Sequence, residues 1–473
     1  MQLLDLITIF IFALGIVIMG LSFSGKGRNM KSFFAAGGAV PWAMSGLSLF
    51  MGFFSAGTFV VWGSIAYSLG WIAISIQWTM AIAGFVVGFF IAPRWHKTSA
   101  LTVAEYITRR LGVNTQKTYT YLFLFISLFT TGSFLYPVAK IVEVSTGMPL
   151  DLCILLLGGF CIVYVAAGGL WAVVSTDVLQ FIILTAAVLI VVPLSFGRVG
   201  GVVNFIESIP ATYFNLVNGE YTIGFIIAFG VYNAIFLGGN WAYVQRYASV
   251  NSQSSARKVG FLFGGLYVVS AVLWMLPPMI YRIVNPSLST IDAEGAYLMM
   301  CKEVLPAGLL GLMLSGMVFA TASSLNATLN ISSGVVTNDI FKRLFPQSSD
   351  KTLMRVARIS TIIFGLLAII VALLIPLMGG IVNVVISVAA LTGVPLYLPI
   401  IWTLFSKRQT EYSVITTTLV SLGANAFFKF ITPLWGFGFN RAEEMIVGVA
   451  FPVFCLIAFE LYYKLNHKIS HRY

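Results

Sequence analysis

Long apolar stretches recur along almost the whole chain, and they limit its possible folds more than any other feature. A helix that crosses a bilayer needs roughly 20 mostly apolar residues. Thirteen such stretches can be drawn, at residues 4–22, 42–69, 71–93, 118–144, 150–167, 177–196, 223–246, 259–281, 304–334, 356–376, 379–405, 411–434 and 445–463. Hydrophobic residues make up 59% of the chain and charged residues 9%, which excludes a soluble globule. The sequence therefore predicts an all-α integral membrane protein with one transmembrane domain, residues 1–473.

The distribution of basic residues predicts how these helices are oriented. If the N-terminus lies outside, the loops after odd-numbered stretches and the C-terminal tail hold 21 of the 27 lysines and arginines. The positive-inside rule then favours an outside N-terminus and a cytoplasmic C-terminus. The net charge of +11 follows from this bias and needs no nucleic acid as partner. We expect a multi-pass protein of the plasma membrane or bacterial inner membrane that works as a monomer in the lipid bilayer.

Three of the stretches contain residues that interrupt helices. The second contains Gly52 and Gly57, the seventh contains the pair Gly238-Gly239, and the eleventh combines Gly393 with two prolines. Glycine in membrane helices also serves close helix packing. However, the second and seventh stretches are five apart, as the first helices of two five-helix repeats would be. Matching broken helices in two halves indicate a transport site near the bilayer midplane.

The run Ala320-Thr321-Ala322-Ser323-Ser324 places two adjacent hydroxyls inside the ninth stretch. Such hydroxyls do not titrate, but with backbone carbonyls they can replace the water shell of a small hard cation. Open carbonyls at Met51–Phe54, in the interrupted second stretch, are candidate partners. Serine in a membrane helix also bonds to its own i−4 carbonyl, and that alternative stays open. The residues predict a Na⁺ site.

Asp177, at the start of the sixth stretch, is the acidic residue that most needs an explanation. An ionisable group in a membrane segment indicates a functional site. The structural alternative is that Asp177 caps the helix together with Thr176, or pairs with a nearby basic group. Asp177 is therefore either a coupling residue or a structural one.

Four motifs together carry a family resemblance. They are TVAEYITRRLG at 102–112, GGLWAVVSTDVLQ at 168–180, NWAYVQR at 240–246 and ATASSLNATLNISSGVVTNDIFK at 320–342. With them, nearly the whole chain resembles the sodium:solute symporter family, which includes sodium/glucose, sodium/proline and sodium/sialic acid cotransporters. The resemblance implies a LeuT-type fold with an inverted repeat of five plus five helices. Residues 1–40 would then be an extra helix and loop, 41–200 and 201–408 the repeats, and 409–473 two extra helices and the tail.

The same resemblance implies a Na⁺ site made of backbone and side-chain oxygens. Its carbonyls would come from Met51, Phe54 and Ala320, and its hydroxyls from Ser323 and Ser324. Asp177 corresponds to an acid that some members use for a second Na⁺. Because Asn326 and Ala327 replace the hydroxyls that would complete that second site, a single Na⁺ is favoured.

Solute contacts implied by the resemblance are less specific. They fall on Ser55, Thr58, Gln77, Asn233 and Phe236, whose alternative role is hydrogen bonding or packing between helices. The arginine that holds sialic acid falls near Thr130, and the acid of the proline type falls on Phe53. The candidate solute contacts are therefore uncharged polar groups, and three aromatic residues are expected beside them: Trp62, Trp78 and Phe54. This combination favours a neutral polyhydroxylated solute such as a sugar.

The predicted function is Na⁺-coupled symport of a small polar solute by alternating access. A Na⁺-coupled amino acid or organic acid symporter is the nearest alternative. A proton-coupled carrier would depend on Asp177 as its relay, and a membrane sensor would normally carry a soluble signalling domain. An enzyme is not expected, because no stretch carries a nucleophile–base pair or a cluster of metal ligands.

Overall fold

The computed structural model describes residues 2–24, 40–100, 102–164 and 170–470, and every regular element in these ranges is a helix. The main helices are α1 (Leu3–Ser24), α2 (Trp42–Met51), α3 (Thr58–Leu69), α4 (Trp71–Lys97), α5 (Val103–Leu111), α6 (Val113–Thr146), α7 (Leu150–Tyr164), α8 (Leu170–Arg198), α9 (Ile223–Gly239), α10 (Trp241–Ala248), α11 (Gln253–Val284), α12 (Ala296–Val304), α13 (Leu309–Gly334), α14 (Asp350–Leu374), α15 (Ile381–Thr403), α16 (Glu411–Ala426) and α17 (Arg441–Ser470). Shorter helical turns connect them at Val202–Ser208, Ala211–Phe214, Asp292–Gly295, Val335–Phe341, Lys342–Leu344, Pro376–Met378, Phe427–Ile431 and Thr432–Trp435. The predicted all-α class is confirmed over the described ranges.

Helices lie on all thirteen predicted apolar stretches, although their bounds differ. Within the described residues, eight helices are long and apolar enough to cross a membrane, or nine if the bent pair α9–α10 is one span. One boundary prediction was wrong in a way that matters. The sixth stretch was expected to start at Asp177, but α8 begins at Leu170. Asp177 therefore lies two turns inside the helix and does not cap it.

The three predicted interruptions are present. The backbone leaves the helical conformation at Gly52–Ser55, between α2 and α3. At Asn240 the chain bends by 59° between α9 and α10, and the Asn240 side chain accepts the Ala242 N–H at 3.0 Å to cap α10. In α15 the stretch Ala389–Gly393 is a wide π-helical turn. Local sequence thus predicted where these helices would break.

Small residues allow α4 and α11 to cross in close contact. A Cβ placed on Gly260 would lie 2.5 Å from the Gly88 Cα, and one on Gly84 would lie 2.8 Å from the Gly264 Cα. Glycine at these positions lets the two backbones approach, as is common between membrane helices. This crossing fixes α11 beside α2, which in turn packs against α8.

Helix α13, which carries the predicted cation ligands, is surrounded by other helices. It packs against α1, α6, α8 and α14. Its position therefore depends on α1, which the resemblance places outside the ten-helix repeat.

Candidate ion and solute site

The break between α2 and α3 leaves backbone carbonyls available to a ligand. The last carbonyls of a helix have no partner within it, and Gly52 and Gly57 disfavour continuation of the helix. The Thr58 hydroxyl folds back and donates to the Phe53 carbonyl. Within the described part of the chain, no hydrogen bond reaches the carbonyl oxygens of Met51 or Phe54. These are two of the three carbonyls predicted to bind Na⁺.

Thr321 joins this break to α13. Its hydroxyl accepts the N–H of Ala56 at 3.0 Å and donates to the Met317 carbonyl at 2.9 Å. Thr321 is fully buried, so water does not compete for either bond. One side chain thus fixes the register between the interrupted segment and the helix that faces it. Thr321 stands within the polar run of α13, but its position in the sequence predicted no role for it.

Three of the five predicted sodium ligands line one cavity. Met51, Ala320 and Ser324 border a space of about 100 Å³, together with Gly52 and Thr328. The side chain of Phe54 lies elsewhere, with its ring centroid 4.8 Å from that of Trp274. Phe54 can therefore contribute only its backbone carbonyl, as predicted.

Of the two predicted serine ligands on α13, the structure describes the side chain of Ser324. The Ser324 hydroxyl lies 3.5 Å from the Ala320 carbonyl, at the outer limit of a hydrogen bond. Back-bonding to its own helix is therefore weak at Ser324, and the hydroxyl can turn to another ligand. The side chains of Ser323, Asn326 and Ala327 lie outside the described part of the structure, so the predictions made for them stay predictions.

Asp177 also reaches this cavity, through a buried polar chain. The Ser48 hydroxyl donates to Asp177 Oδ2 at 2.6 Å, and Arg246 Nε donates to the Ser48 hydroxyl at 3.2 Å. Asp177 is 4% exposed and Arg246 is 9% exposed. The serine therefore links a carboxylate and a guanidinium that neutralise each other's charge. Of the alternatives for Asp177, association with a basic residue is present, although the pattern did not identify Arg246 as that residue.

A second cavity, of about 180 Å³, gathers all five predicted solute contacts. Ser55, Thr58, Gln77, Asn233 and Phe236 line it. They come from the interrupted segment, α3, α4 and α9, so only the folded arrangement brings them together. The two cavities share part of their wall, including Gly52, Phe236, Tyr243 and Tyr397.

The polar groups around the second cavity are uncharged. No Asp, Glu, Lys or Arg is among the described residues that line it. Gln77 is 3% exposed, and its Nε2 makes no hydrogen bond of normal geometry in the described structure, although the Tyr267 hydroxyl lies close to it. Asn233 donates to the Thr79 hydroxyl at 2.8 Å, which holds its amide plane in place. A buried amide without a partner carries a desolvation cost that a ligand acceptor can remove.

Four tyrosines complete the cavity, and the sequence reasoning missed them. They are Tyr232, Tyr243, Tyr267 and Tyr397. Helical spacing gave a usable signal for one of them, because Tyr232 precedes Phe236 by one turn and the rings stack with centroids 5.5 Å apart. Of the aromatic residues expected there, Trp62 lines the cavity but Phe54 does not. Trp78 lies outside it and donates its indole N–H to the Val268 carbonyl at 3.1 Å.

Comparison with known proteins gives consistent matches. Residues 33–420 match the model of the Sodium:solute symporter family. The chain is 28% identical over 472 residues to a sodium/glucose cotransporter of Vibrio parahaemolyticus, covering 90% of this chain and 86% of that protein. It is 25% identical over 515 residues to sodium/glucose cotransporter 1 of Mus musculus, covering 96% of this chain and 76% of that protein.

Solved structures share the fold. A Na⁺-coupled sialic acid symporter in a substrate-bound outward-open state superposes with a TM-score of 0.79 at 22% identity, covering 97% of this chain and 98% of that one. Mhp1, a nucleobase-cation-symport-1 family transporter, superposes with a TM-score of 0.58 at 14% identity, covering 93% and 96%. Both structures support a transporter fold of the LeuT-like kind.

Proposed function

The chain belongs to the sodium:solute symporter family and is a multi-pass membrane protein that couples solute transport to Na⁺; from this premise, we propose that its solute is a sugar or a sugar-like compound. The uncharged lining of the 180 Å³ cavity carries this proposal. Sugars present hydroxyls and apolar ring faces, which amide, hydroxyl and aromatic groups can match without an opposing charge. The sodium/glucose cotransporters among the relatives support the same class.

A Na⁺-coupled amino acid or organic acid symporter is the second candidate. Its substrate carries a carboxylate, which would need a cationic partner near the cavity. Arg246 borders the adjoining ion cavity, so a cation is within the region. However, Arg246 is almost fully buried and already donates to Ser48 and to the Ala242 carbonyl. This engagement makes the neutral solute the better proposal.

For the ion, we propose one Na⁺ site made of the carbonyls of Met51, Phe54 and Ala320 and the hydroxyls of Ser323 and Ser324. Carbonyl and hydroxyl oxygens are the ligands that hard cations prefer. The placement of Met51, Ala320 and Ser324 around one cavity supports the set. A second cation at Asp177 is disfavoured, because the Ser48-mediated association with Arg246 already compensates that carboxylate.

For the architecture, we propose thirteen membrane-spanning segments with ten of them in two inverted repeats. The first repeat would occupy residues 41–200 and the second 201–408, with residues 1–40 before them and 409–473 after them. The breaks at Gly52–Ser55 and at Asn240, each at the start of one repeat, support this division. The bias of 21 of 27 basic residues to one side supports an outside N-terminus and a cytoplasmic C-terminus. The transporting unit would be the monomer.

Coupling would then follow from the wall that the two cavities share. Na⁺ bound between the α2–α3 break and α13 holds Gly52 in place, and Gly52 borders the solute cavity as well. A preorganised wall lowers the ordering cost of solute binding. By linkage, the solute must tighten Na⁺ binding by the same factor.

The proposal is tested by uptake into proteoliposomes. Labelled sugars, amino acids and organic acids are offered with a Na⁺ gradient and a proton gradient imposed separately, and we expect only a sugar to accumulate and only with Na⁺. Ser323→Ala should abolish Na⁺-dependent uptake while expression is retained. Ser315→Ala is the matched control, because among the described residues its hydroxyl bonds to the Gly311 carbonyl of its own helix alone, at 2.7 Å. Normal Na⁺ dependence in Ser323→Ala would refute the ion site, and uptake of a carboxylate alone would refute the solute class.

A further inference from the structure

The carboxylate of Asp5 is buried where α1 meets the start of α13. Its Oδ1 accepts the backbone N–H of Gly308 at 2.7 Å and of Gly311 at 3.1 Å. Its Oδ2 accepts the N–H of Gln2, in its own segment, at 2.8 Å. The residue is 1% exposed. An aspartate is almost never this fully buried unless it is paired, so its partners here need an explanation.

The bonds show that Asp5 caps α13 from another helix. The first N–H groups of a helix have no partner within it. Gly308, which precedes α13, has no side chain to cap it and adopts a φ of +89°. Asp5 supplies the missing acceptor from 303 residues away in sequence. The partial positive charge of the helix N-terminus further favours a carboxylate at this point.

The contact between the two helices is close and continues toward the ion cavity. A Cβ on Gly311 would lie 2.3 Å from the Asp5 carbonyl oxygen and 2.4 Å from the Thr8 hydroxyl, so the backbones touch only because residue 311 is glycine. Farther along, the rings of Phe12 and Phe319 lie with centroids 5.9 Å apart. Phe319 directly precedes Ala320, which borders the ion cavity.

We propose that Asp5 is a positioning residue for the Na⁺ site and that α1 is a working part of the transporter. The inference rests on the proposed placement of Na⁺ ligands on α13. A helix is stiff along its axis. A cap that fixes the first turn of α13 therefore also fixes the position of Ala320 and Ser324 along that axis. An oxygen shell around a small cation accepts only a narrow range of distances. Loss of the cap lets α13 shift, and Na⁺ binding weakens although no ligand has been removed.

The experiment is a Na⁺ titration of the purified full-length protein in lipid nanodiscs, read by tryptophan fluorescence and by thermal unfolding, with choline replacing Na⁺. Asp5→Ala should raise the apparent Na⁺ dissociation constant roughly three- to tenfold, the size expected when the stability lost with one helix cap is drawn from ion binding. Asp5→Asn keeps one accepting oxygen and should recover part of the affinity. The matched control is Asp151→Ala, since Asp151 lies in the first turn of α7 but is exposed.

A second variant keeps the test decisive if Asp5→Ala does not fold. Gly311→Ala keeps the Asp5 side chain but pushes α1, and the carboxylate with it, away from α13, so Na⁺ binding should weaken as it does in Asp5→Ala. Unchanged Na⁺ affinity in the folded variants, with only a lower unfolding temperature, would overturn the proposal and leave Asp5 a purely structural cap. A wild-type protein that does not respond to Na⁺ would instead refute the ion site itself, and this inference with it. The two failures are therefore distinguishable.

Discussion

Replacing Thr321 with valine tests whether a single hydroxyl aligns the two halves of the ion site. The substitution keeps the branched shape and removes the acceptor for the Ala56 N–H, which lies 3.0 Å away. Because Thr321 is fully buried, no water can take the place of the hydroxyl. The Met317 carbonyl also loses a donor, but it lies within α13 and keeps its main-chain partner.

The expected loss of Na⁺ affinity follows from the Ala56 N–H, which the substitution leaves without an acceptor. A buried N–H without a partner costs about 1–3 kcal/mol. If the bond is needed only when Na⁺ holds the break against α13, this cost falls entirely on ion binding. At about 1.4 kcal/mol for each factor of ten, Na⁺ affinity should fall roughly five- to hundredfold. Solute affinity measured with Na⁺ should fall with it, because the two bindings are linked.

The assay is the same Na⁺ titration in nanodiscs, followed by uptake at rising Na⁺ concentration. Thr321→Ser keeps the hydroxyl and should retain most of the affinity. Thr361→Val is the control for loss of a threonine hydroxyl as such, since in the part of the protein that the structure describes this hydroxyl bonds to the Ala357 carbonyl of α14 alone, at 3.0 Å. Thr321 does not align the ion site if Thr321→Val lowers the unfolding temperature equally with and without Na⁺ while its Na⁺ affinity stays that of the wild type.

Two further predictions concern the solute cavity and the loop before α12. Gln77→Leu removes a buried amide whose Nε2 makes no hydrogen bond of normal geometry in the described part of the protein, so solute affinity should fall about tenfold while the solute-free protein unfolds at no lower temperature. Isothermal titration and thermal unfolding check this, and a solute-free protein that loses stability would contradict it. Burial raises the pKa of Glu294, whose carboxylate accepts the Ile381 N–H at 2.9 Å and the Tyr136 hydroxyl at 2.7 Å. Its contribution to the free energy of unfolding is therefore complete below its ordinary pKa and is lost as the pH rises through the raised one. Glu294→Gln should flatten the unfolding temperature over that window, and an unchanged pH profile would show that another group titrates there.

The sequence predicted the features that local chemistry determines. Glycines marked the break after Met51, and Gly238-Gly239 marked the bend at Asn240, because these residues act on the backbone where they stand. Apolar length predicted helices on every expected stretch for the same reason. The family resemblance identified Ser55, Gln77 and Asn233 as solute contacts, and the structure places all three around one cavity.

The features that the sequence did not predict depend on pairs of distant residues. Ser48 links Arg246 to Asp177, and neither spacing nor composition relates positions on α2, α8 and α10. The cap that Asp5 provides joins residues 303 positions apart. The start of α8 at Leu170 was missed because the acidic residue Asp177 indicated a helix end, although the residues before it, LWAVVST at 170–176, are helical as well.

The uncharged lining of the solute cavity has an electrical consequence. If the solute and the groups that hold it are neutral, Na⁺ carries the whole net charge that crosses the membrane in each cycle. With one Na⁺, a voltage clamp should record one elementary charge for each solute molecule taken up, and the ratio of current to flux reads the stoichiometry directly. Each 100 mV of membrane potential then contributes about 2.3 kcal/mol, which corresponds to roughly fiftyfold accumulation before any Na⁺ gradient is added.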